Sequence, residues 1–321
     1  MGRQIRQSEE VPGHVPVMVK EVLDFLQPGP GKVLVDATLG MGGHARAILE
    51  RIPGGKLIGI DQDAEAVVQA SKALAPFGDA FIPVKGNFAE IEEILQNLQL
   101  NRVDGFLFDL GVSSYQLDCK RRGFSYRDDV LLDMRMDMDL PCTAADLLQK
   151  LSQKELTFLF RRYGEERWAS RIAKFISNYR LKHGPVLRSS QLVEIIRSAV
   201  PAAARRRGGH PAKRIFQALR IAVNKELESL SRGLDGAIGR LRPGGRIVVL
   251  SYHSLEDEIV KKTFRDKARG CICPPEIPVC ICGKNPSLKI LTRRVLFPSR
   301  EEESRNPRAA SARLRAAEKL F

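Results

Sequence analysis

A glycine-rich turn, placed directly after the first apolar stretch of the chain, is the feature that most constrains the fold. The turn covers residues 36–44 and connects a predicted strand, residues 32–36, to a segment of helix-forming composition. Gly40, Gly42 and Ala45 match the G-x-G-x-x-A form of the dinucleotide fingerprint. Glycines in such a turn let the backbone approach a ligand more closely than a Cβ atom would permit. The turn therefore predicts a nucleotide-like cofactor; because the fingerprint alone is a weak signal, a tight structural turn is the alternative.

Short apolar runs with the composition of buried parallel strands recur along the chain, and helical patterns separate the first of them. This alternation predicts a doubly wound α/β sheet with right-handed crossovers, as in Rossmann-like folds. The predicted strands are residues 32–36, 57–61, 105–110 and 246–251, and the first helices are residues 44–51 and 64–75.

The strand-helix alternation stops after Gly111 and returns only with the last predicted strand. We therefore predict a discontinuous sheet domain, residues 1–116 and 211–321, and an inserted substrate-recognition domain, residues 117–210. The insertion should be mainly helical, because apolar residues recur there at helical spacing. The clearest such segments are residues 155–179 and 190–199.

One long helix is expected to lead from the insertion back to the sheet. Pro211 suits the first turn of a helix, and a single apolar stripe runs from Ile215 to Leu234. The Pro-Gly-Gly sequence at residues 243–245 is typical of a turn into the next strand.

An acidic residue strengthens the prediction of a cofactor site. Asp61 closes the second predicted strand 21 residues after Gly40, where a carboxylate can accept hydrogen bonds from ribose hydroxyls. NAD and S-adenosylmethionine both carry that ribose. Asp36, just before the glycines, is placed to hold the ammonium of an amino-acid moiety, which favours S-adenosylmethionine without excluding NAD. Phe88 is predicted either to stack on the adenine or to belong to the core.

The charge of the chain predicts a polyanionic partner. The chain has 52 Lys and Arg against 38 Asp and Glu, a formal net charge of +14. Residues 195–225 contain no acidic residue but many basic ones, including Arg205, Arg206 and Arg207. Such clusters gain free energy by releasing the counterions of nucleic-acid phosphates, although a solvated helix face is the alternative. The sequence shows neither a secretory signal nor an apolar run long enough for a membrane span, so we expect a cytoplasmic protein with no membrane partner.

Nine sequence blocks, in order along nearly the whole chain, resemble the bacterial 16S rRNA cytosine-N4 methyltransferase family. Matches in so many separate blocks are far more specific than one glycine-rich turn. The blocks are Gly42-Gly43-His44 and residues 109–114, 122–125, 132–137, 163–167, 210–212, 216–220, 251–257 and 306–308.

The resemblance implies a Rossmann-like methyltransferase domain with a helical insertion and S-adenosyl-L-methionine as the cofactor. It implies that the partner is 16S rRNA within the small ribosomal subunit, not DNA, and that the target is a decoding-centre cytosine. It places the cofactor-binding residues at Gly42, Gly43, His44, Asp61, Phe88, Asp109 and Gln116. His44 and Gln116 rest on the resemblance alone.

Asp109 and His253 are the predicted catalytic residues. Asp109 lies near the carboxyl end of a predicted strand, the edge where open α/β sheets hold their reacting groups. The lone pair of cytosine N4 is delocalised into the ring, so a carboxylate that accepts hydrogen bonds from the amino group would favour methyl transfer. The alternative is that Asp109 only positions the cofactor. The Asp/Ser-Pro-Pro-aromatic signature of amino-group DNA methyltransferases is absent here, which leaves the proton acceptor open between Asp109 and His253, and His253 could also orient the base.

Four cysteines form two Cys-x-Cys pairs, separated by a proline-rich hexapeptide that should turn the chain back on itself. In a reducing compartment such clustering favours zinc over a disulfide, with uncoordinated thiols as the alternative. Since not all members of the resembled family carry this cluster, we expect a structural clip beside the RNA site. The predicted zinc ligands are Cys271, Cys273, Cys280 and Cys282.

Three alternatives stay open at this point. The glycine-rich turn and Asp61 also suit an NAD-dependent oxidoreductase, although nothing after Gly111 resembles a hydride-transfer site. The basic segment also suits a non-catalytic RNA-binding factor in ribosome assembly. The acidic run at residues 132–139 is predicted to be a loop that wraps the site, with a cation site as the alternative.

Overall fold

Seven strands of the described residues form one sheet in a computed structural model, which describes residues 16–205, 210–271, 273, 282–283 and 285–321. Their order across the sheet is β3-β2-β1-β4-β5-β7-β6. The first five are parallel, while β7 runs antiparallel to both β5 and β6. The strands are β1 Val33–Asp36, β2 Lys56–Asp61, β3 Phe81–Lys85, β4 Val103–Asp109, β5 Leu241–Ser251, β6 Leu288–Ile290 and β7 Arg313–Lys319.

Helices cover both faces of this sheet and form a separate layer beyond it. Polar caps begin several of them; Thr143 and Ser152, for example, each accept a backbone N–H bond at a helix start. The helices are α1 Val19–Leu26, α2 Gly43–Leu49, α3 Ala64–Leu74, α4 Ile91–Asn97, α5 Ser114–Asp118, α6 Ala144–Lys150, α7 Gln153–Gly164, α8 Ala169–His183, α9 Ser189–Ala199, α10 Ala202–Arg205, α11 Ala212–Asn224, α12 Glu226–Arg240, α13 Ser254–Ala268 and α14 Arg300–Arg305.

The two sheet faces pack against different helices because side chains alternate along each strand. In β1, Leu34 belongs to the apolar cluster shared with α1, α2 and α3, whereas Val35 belongs to the cluster shared with α4, α12 and α13. Both side chains are fully buried, and burial of each contributes about 1.5–3 kcal/mol. The predicted doubly wound, Rossmann-like α/β architecture is thereby confirmed.

A third apolar cluster fills the helical layer that follows α5. It runs from Phe124 to Val223 and includes side chains of α6, α7, α8, α9 and α11. The mainly helical character predicted for this stretch is confirmed. The domain boundaries at residues 117–210 stay a prediction, and the cluster extends past them through α11.

The prediction of one long helix after Pro211 is wrong. The helix ends at Asn224, and α12 begins at Glu226, because Lys225 adopts a left-handed backbone conformation with φ 50°. The Asn224 side chain accepts a hydrogen bond from the Met136 N–H at 2.7 Å and donates to the Met134 carbonyl at 2.8 Å. At the break, Asn224 thus contacts a loop some ninety residues away in sequence. The apolar stripe of the sequence does not indicate where the helix ends.

The turn expected at residues 243–245 is part of a strand instead. The strand β5 begins at Leu241, opposite Val103, and its pairing with β4 shifts register before Arg246 pairs with Gly105. Gly244 lies within this register shift and adopts a φ of 77°, a backbone conformation that favours glycine. Among the described residues, no helix combines the length and the apolar composition needed to cross a membrane.

Candidate functional site

A cavity of about 1070 Å³ lies at the carboxyl edge of the parallel strands, where the sheet meets the helical layer. The strand order reverses beside β1, since the chain proceeds outward through β2 and β3 and then returns to β4 on the other side. Open α/β sheets hold their ligands at such a switch point. The predicted residues that line this cavity are Gly43, His44, Asp61, Phe88, Asp109, Gln116 and His253.

Glycines shape the turn between β1 and α2. Gly42 has a φ of 80°, which disfavours other residues, and a Cβ there would lie 3.1 Å from a Leu74 methyl. A Cβ on Gly43 would lie only 2.6 Å from Pro16. Gly43 lines the cavity, whereas Gly42 is not among the residues that line it.

Asp61 holds this turn from the end of β2. One carboxylate oxygen accepts the Gly40 N–H at 2.8 Å, and the other accepts the Asp63 N–H at 2.9 Å. Burial raises the pKa of Asp61 from 3.8 to about 6, although both N–H bonds lower it. Each carboxylate oxygen has a second lone pair, so Asp61 can still accept hydrogen bonds from a ligand in the cavity.

Asp36, His44 and Asp109 form a buried charged cluster beside the turn. His44 Nε2 lies 3.5 Å from an Asp109 carboxylate oxygen, too far for a strong hydrogen bond. Burial lowers the pKa of His44, but the carboxylates of Asp109 and Asp36 outweigh it and raise the pKa above 6.5. Burial raises the pKa of Asp36 from 3.8 to about 7. Asp36 therefore changes protonation near neutral pH.

Several buried polar atoms of this cluster have no hydrogen-bond partner within the described protein, namely Asp36 Oδ2 and both ring nitrogens of His44. Such orphaned atoms carry a free-energy penalty that a polar ligand relieves. His44 lines the cavity directly, whereas Asp36 does not line it but precedes Ala37 and Thr38, which do. The pair offers a hydrogen-bond donor and an acceptor, which matches the carboxylate and ammonium of an amino-acid moiety.

The Asp109 carboxylate faces the cavity from the end of β4 with 20% of its side chain exposed. Its backbone N–H donates to Thr38 Oγ1 at 2.6 Å, and its Oδ1 accepts the Tyr252 hydroxyl at 2.7 Å. Burial, followed by the Asp109 charge, raises the pKa of Tyr252 well above its usual value, so the hydroxyl stays a donor. Asp109 is thus held as an acceptor toward the cavity.

Phe88 packs on the core and also lines the cavity, while its stacking on an adenine stays a prediction. Its ring lines the cavity, yet it also packs edge-on against Phe108, with centroids 5.7 Å apart. A Cβ on Gly233 of α12 would lie 2.7 Å from the ring, so the absence of a side chain there makes room for it. The ring is therefore fixed by the core while it borders the cavity.

Gln116 is held by protein contacts on both ends of its amide. Its Nε2 donates to Asp63 Oδ2 at 2.9 Å, and its Oε1 accepts the Ser113 N–H at 3.1 Å. Asp63 also forms a buried ion pair with Arg122, 2.7 Å between Nη2 and Oδ2. Arg122 in turn donates to the Met136 carbonyl at 2.7 Å. This network joins the sheet to the loop that covers the cavity.

His253 caps the start of α13 at the cavity wall. Its Nδ1 accepts the Glu256 N–H at 3.3 Å, and its Nε2 lies 3.1 Å from a Glu256 carboxylate oxygen. Burial raises the pKa of Glu256, but His253, Arg220 and the Tyr252 N–H together outweigh it and lower the pKa. The Glu256 N–H therefore orients the imidazole, which borders the same cavity as Asp109, while Nε2 has no hydrogen-bond partner among the described residues.

The acidic run at residues 132–139 forms a loop over the site, as expected. Asp133 makes a two-point ion pair with Arg135, while Asp137 and Asp139 contact Lys85. These carboxylates have cationic partners and do not converge as a metal site within the described part of the chain.

The structure describes only some of the cysteine and arginine residues predicted to have a role. The sulfur atoms of Cys271, Cys273 and Cys282 lie within 4.8 Å of one another. Cys280, Arg206 and Arg207 lie outside the described residues, as does the side chain of Arg205.

Sequence reasoning did not assign Tyr252, Thr38 or Arg122 a role in the site, although all three support it. Tyr252 and Arg122 fall within the blocks that resemble the methyltransferase family. For these two residues, that resemblance is the one sequence signal that could have indicated a role. Their partners, Asp109 and Asp63, are 143 and 59 residues away in sequence.

The chain is similar to known proteins over nearly its whole length. Residues 12–320 match a family model described as the MraW methylase family. The ribosomal RNA small subunit methyltransferase H of Geobacter sulfurreducens is 56% identical over 308 residues, covering 96% of this chain and 99% of that protein. Its namesake from Heliobacterium modesticaldum is 52% identical over 309 residues, covering 96% and 98%. The alignment with the crystal structure of an rRNA methylase from Streptococcus thermophilus covers 96% of this chain and 100% of the chain in that structure. Its TM-score is 0.44 and the sequence identity is 10%.

Proposed function

The chain belongs to the MraW methylase family, and from this premise we propose that it methylates N4 of a decoding-centre cytosine in 16S rRNA, using S-adenosylmethionine. Relatives more than half identical over nearly the whole chain are named ribosomal RNA small subunit methyltransferase H, which supports small-subunit rRNA as the substrate. The choice of cytosine N4 rests on the resemblance described above and on the chemistry of the site. Membership of a methylase family also argues against an oxidoreductase.

The observation that carries the proposal is the Asp109 carboxylate, held by Tyr252 and Thr38 at the cavity wall. An exocyclic amine is a hydrogen-bond donor and a poor nucleophile. An acceptor at this wall would favour the positive charge that develops on its nitrogen during transfer. A charge-assisted hydrogen bond of this kind is worth about 1.5–3 kcal/mol, or roughly 10- to 150-fold in rate.

The residues that line the cavity fit S-adenosylmethionine. When bound, this cofactor supplies an electrophilic methyl group on its sulfonium. We propose that Asp61 accepts hydrogen bonds from the ribose, that Phe88 borders the adenine, and that His44, with Asp36 behind it, meets the amino-acid moiety. The orphaned nitrogens of His44 support this assignment. Gly42, Gly43 and Gln116 would shape and position the pocket.

His253 is proposed to orient the base or to accept a proton once the methyl group has moved. Its imidazole is fixed by Glu256 and borders the cavity that Asp109 faces. The proton would then pass to solvent through the open side of the cavity.

Basic side chains at the cavity suit an RNA substrate. Arg127, Lys213 and Arg308 are exposed and border the cavity, where they can contact phosphates. Lys213 belongs to the basic segment singled out in the sequence. These charges support the proposal that the substrate is RNA within the small subunit.

The test is to incubate the purified protein with small ribosomal subunits and isotopically labelled S-adenosylmethionine, and to map the product by mass spectrometry of RNA fragments. We expect the label on N4 of one cytosine. With Asp109→Asn, single-turnover transfer at saturating cofactor should fall by roughly 10- to 150-fold, while cofactor affinity changes far less. Asp24→Asn, on the exposed side of α1, is the control.

Label on a ring carbon or a ribose would refute the proposed target. Binding of RNA with no cofactor binding would favour the non-catalytic assembly factor. Near-normal transfer by Asp109→Asn would move the main catalytic role to His253.

A further inference from the structure

Three cysteine thiols lie close together in the segment between α13 and β6. The Cys271 and Cys282 sulfur atoms are 3.8 Å apart, and the sulfur of Cys273 lies within 4.8 Å of both. We propose that Cys271, Cys273 and Cys282 bind a structural Zn²⁺ ion. This inference is independent of the proposed methyl transfer.

The spacing of the sulfur atoms suits zinc. Thiolates bound to a tetrahedral zinc at about 2.3 Å lie about 3.8 Å from one another, which is the separation found between Cys271 and Cys282. A disulfide would need an S–S distance of about 2.05 Å. The thiols are therefore spaced as ligands around an ion.

The surroundings also favour a metal. Cys271 is exposed, and Cys273 and Cys282 are half-buried, so an apolar core does not explain why three thiols meet here. Backbone hydrogen bonds hold the two ends of this segment together. The Ser287 N–H donates to the Lys267 carbonyl at 2.8 Å, and the Leu320 N–H donates to the Ser287 carbonyl at 3.0 Å. A metal at the cysteines would join residues 271 and 273 to residue 282, and its binding energy would stabilise the fold locally.

The ion would be structural and not catalytic. The helix α13 is 15 residues long, so its two ends are about 22 Å apart. His253 lies at the end that borders the cavity, and Cys271 follows the other end. Binding converts the thiols to thiolates, their protons pass to solvent, and no electron is transferred because zinc is redox-inert.

Zinc content of the purified full-length protein, measured by elemental mass spectrometry, tests the proposal. We expect about one zinc ion per chain. Cobalt substitution should give thiolate-to-cobalt charge-transfer absorption. Both signals should be lost in Cys271→Ser and in Cys282→Ser but kept in Cys142→Ser, a cysteine of the helical region.

A chelator should lower the melting temperature of the parent and leave that of Cys271→Ser unchanged, which provides a readout even if the variant is less stable. Zinc retained by Cys271→Ser, or a parent protein that holds no zinc after expression with zinc supplied, would overturn the proposal. A Cys271–Cys282 disulfide found under reducing purification would do the same.

Discussion

Asp109 shows how single residues define the site. Its carboxylate lies between the Tyr252 hydroxyl, which donates to one oxygen at 2.7 Å, and His44, which lies 3.5 Å from the other. Tyr252 stays protonated because burial and the neighbouring carboxylate raise its pKa. Tyr252 is therefore a positioning residue that keeps Asp109 oriented toward the cavity.

Replacement of Tyr252 by Phe tests this role. The ring beside Gly111 is retained, but Asp109 loses one charge-assisted hydrogen bond, so we expect kcat to fall by about 10- to 100-fold. Affinity for S-adenosylmethionine should change by less than about threefold, because Asp109 would lose orientation and not charge. Rapid-quench kinetics and calorimetry separate the two quantities.

Tyr179→Phe is the matched control for this experiment. Tyr179 lies in α8, and its hydroxyl accepts a hydrogen bond from Gln191 within the helical region. We expect its activity to equal that of the parent. Equal loss of activity in both variants, or a larger change in affinity than in kcat for Tyr252→Phe, would contradict the positioning role.

At the scale of secondary structure, the break between α11 and α12 couples two parts of the site. Asn224 ends α11 and holds the loop that contains Met134 and Met136, both of which line the cavity. Arg220, one turn earlier, forms an ion pair with Glu226 across the break. The bend thus ties α11 to the loop over the cavity.

Asn224→Ala should destabilise the protein by about 2–3 kcal/mol, because the buried Met136 N–H and Met134 carbonyl would each lose a partner. Chemical denaturation measures this change. Asn178→Ala, at an exposed position of α8, is the control and should change stability by less than about 0.5 kcal/mol. A similar stability for both variants would show that the loop is held by other contacts.

For the whole molecule, the buried carboxylates under the glycine-rich turn make stability depend on pH. Burial raises the pKa of Asp36 from 3.8 to about 7, so the folded state binds this proton more tightly than the unfolded state. The resulting stabilisation is complete below about pH 4 and is lost as the pH rises through 7. Asp61, raised to about 6, acts in the same direction.

Asp36→Asn removes one of these titrations while it keeps the shape of the side chain. We expect the free energy of unfolding of the variant, relative to that of the parent, to rise by on the order of 2–3 kcal/mol between pH 5 and pH 8. Denaturant titrations of both proteins across this range measure the difference. A difference that does not change with pH, or one that falls as pH rises, would refute the assignment.

Much of the fold and of the candidate site could be predicted, because local sequence patterns indicate which residues are buried. The apolar runs, the glycine-rich turn and the spacing to Asp61 are properties of short segments, and parallel strands bring their carboxyl ends to one edge. This is why the cavity gathers Asp61 and Asp109 as expected. The family resemblance added His44 and Gln116, which also line the cavity.

Local sequence patterns specify the parallel core of the sheet, the helical character of the stretch after Gly111 and the acidic residues at the strand ends. Packing between distant segments, and no local pattern, decided that Tyr252 donates to Asp109 across 143 residues and that β7 enters the sheet between β5 and β6. It also decided that Asn224 ends a helix whose apolar stripe continues beyond it. These features depend on which distant segments pack together, and the free energy of such pairings comes from contacts that no local window of sequence contains.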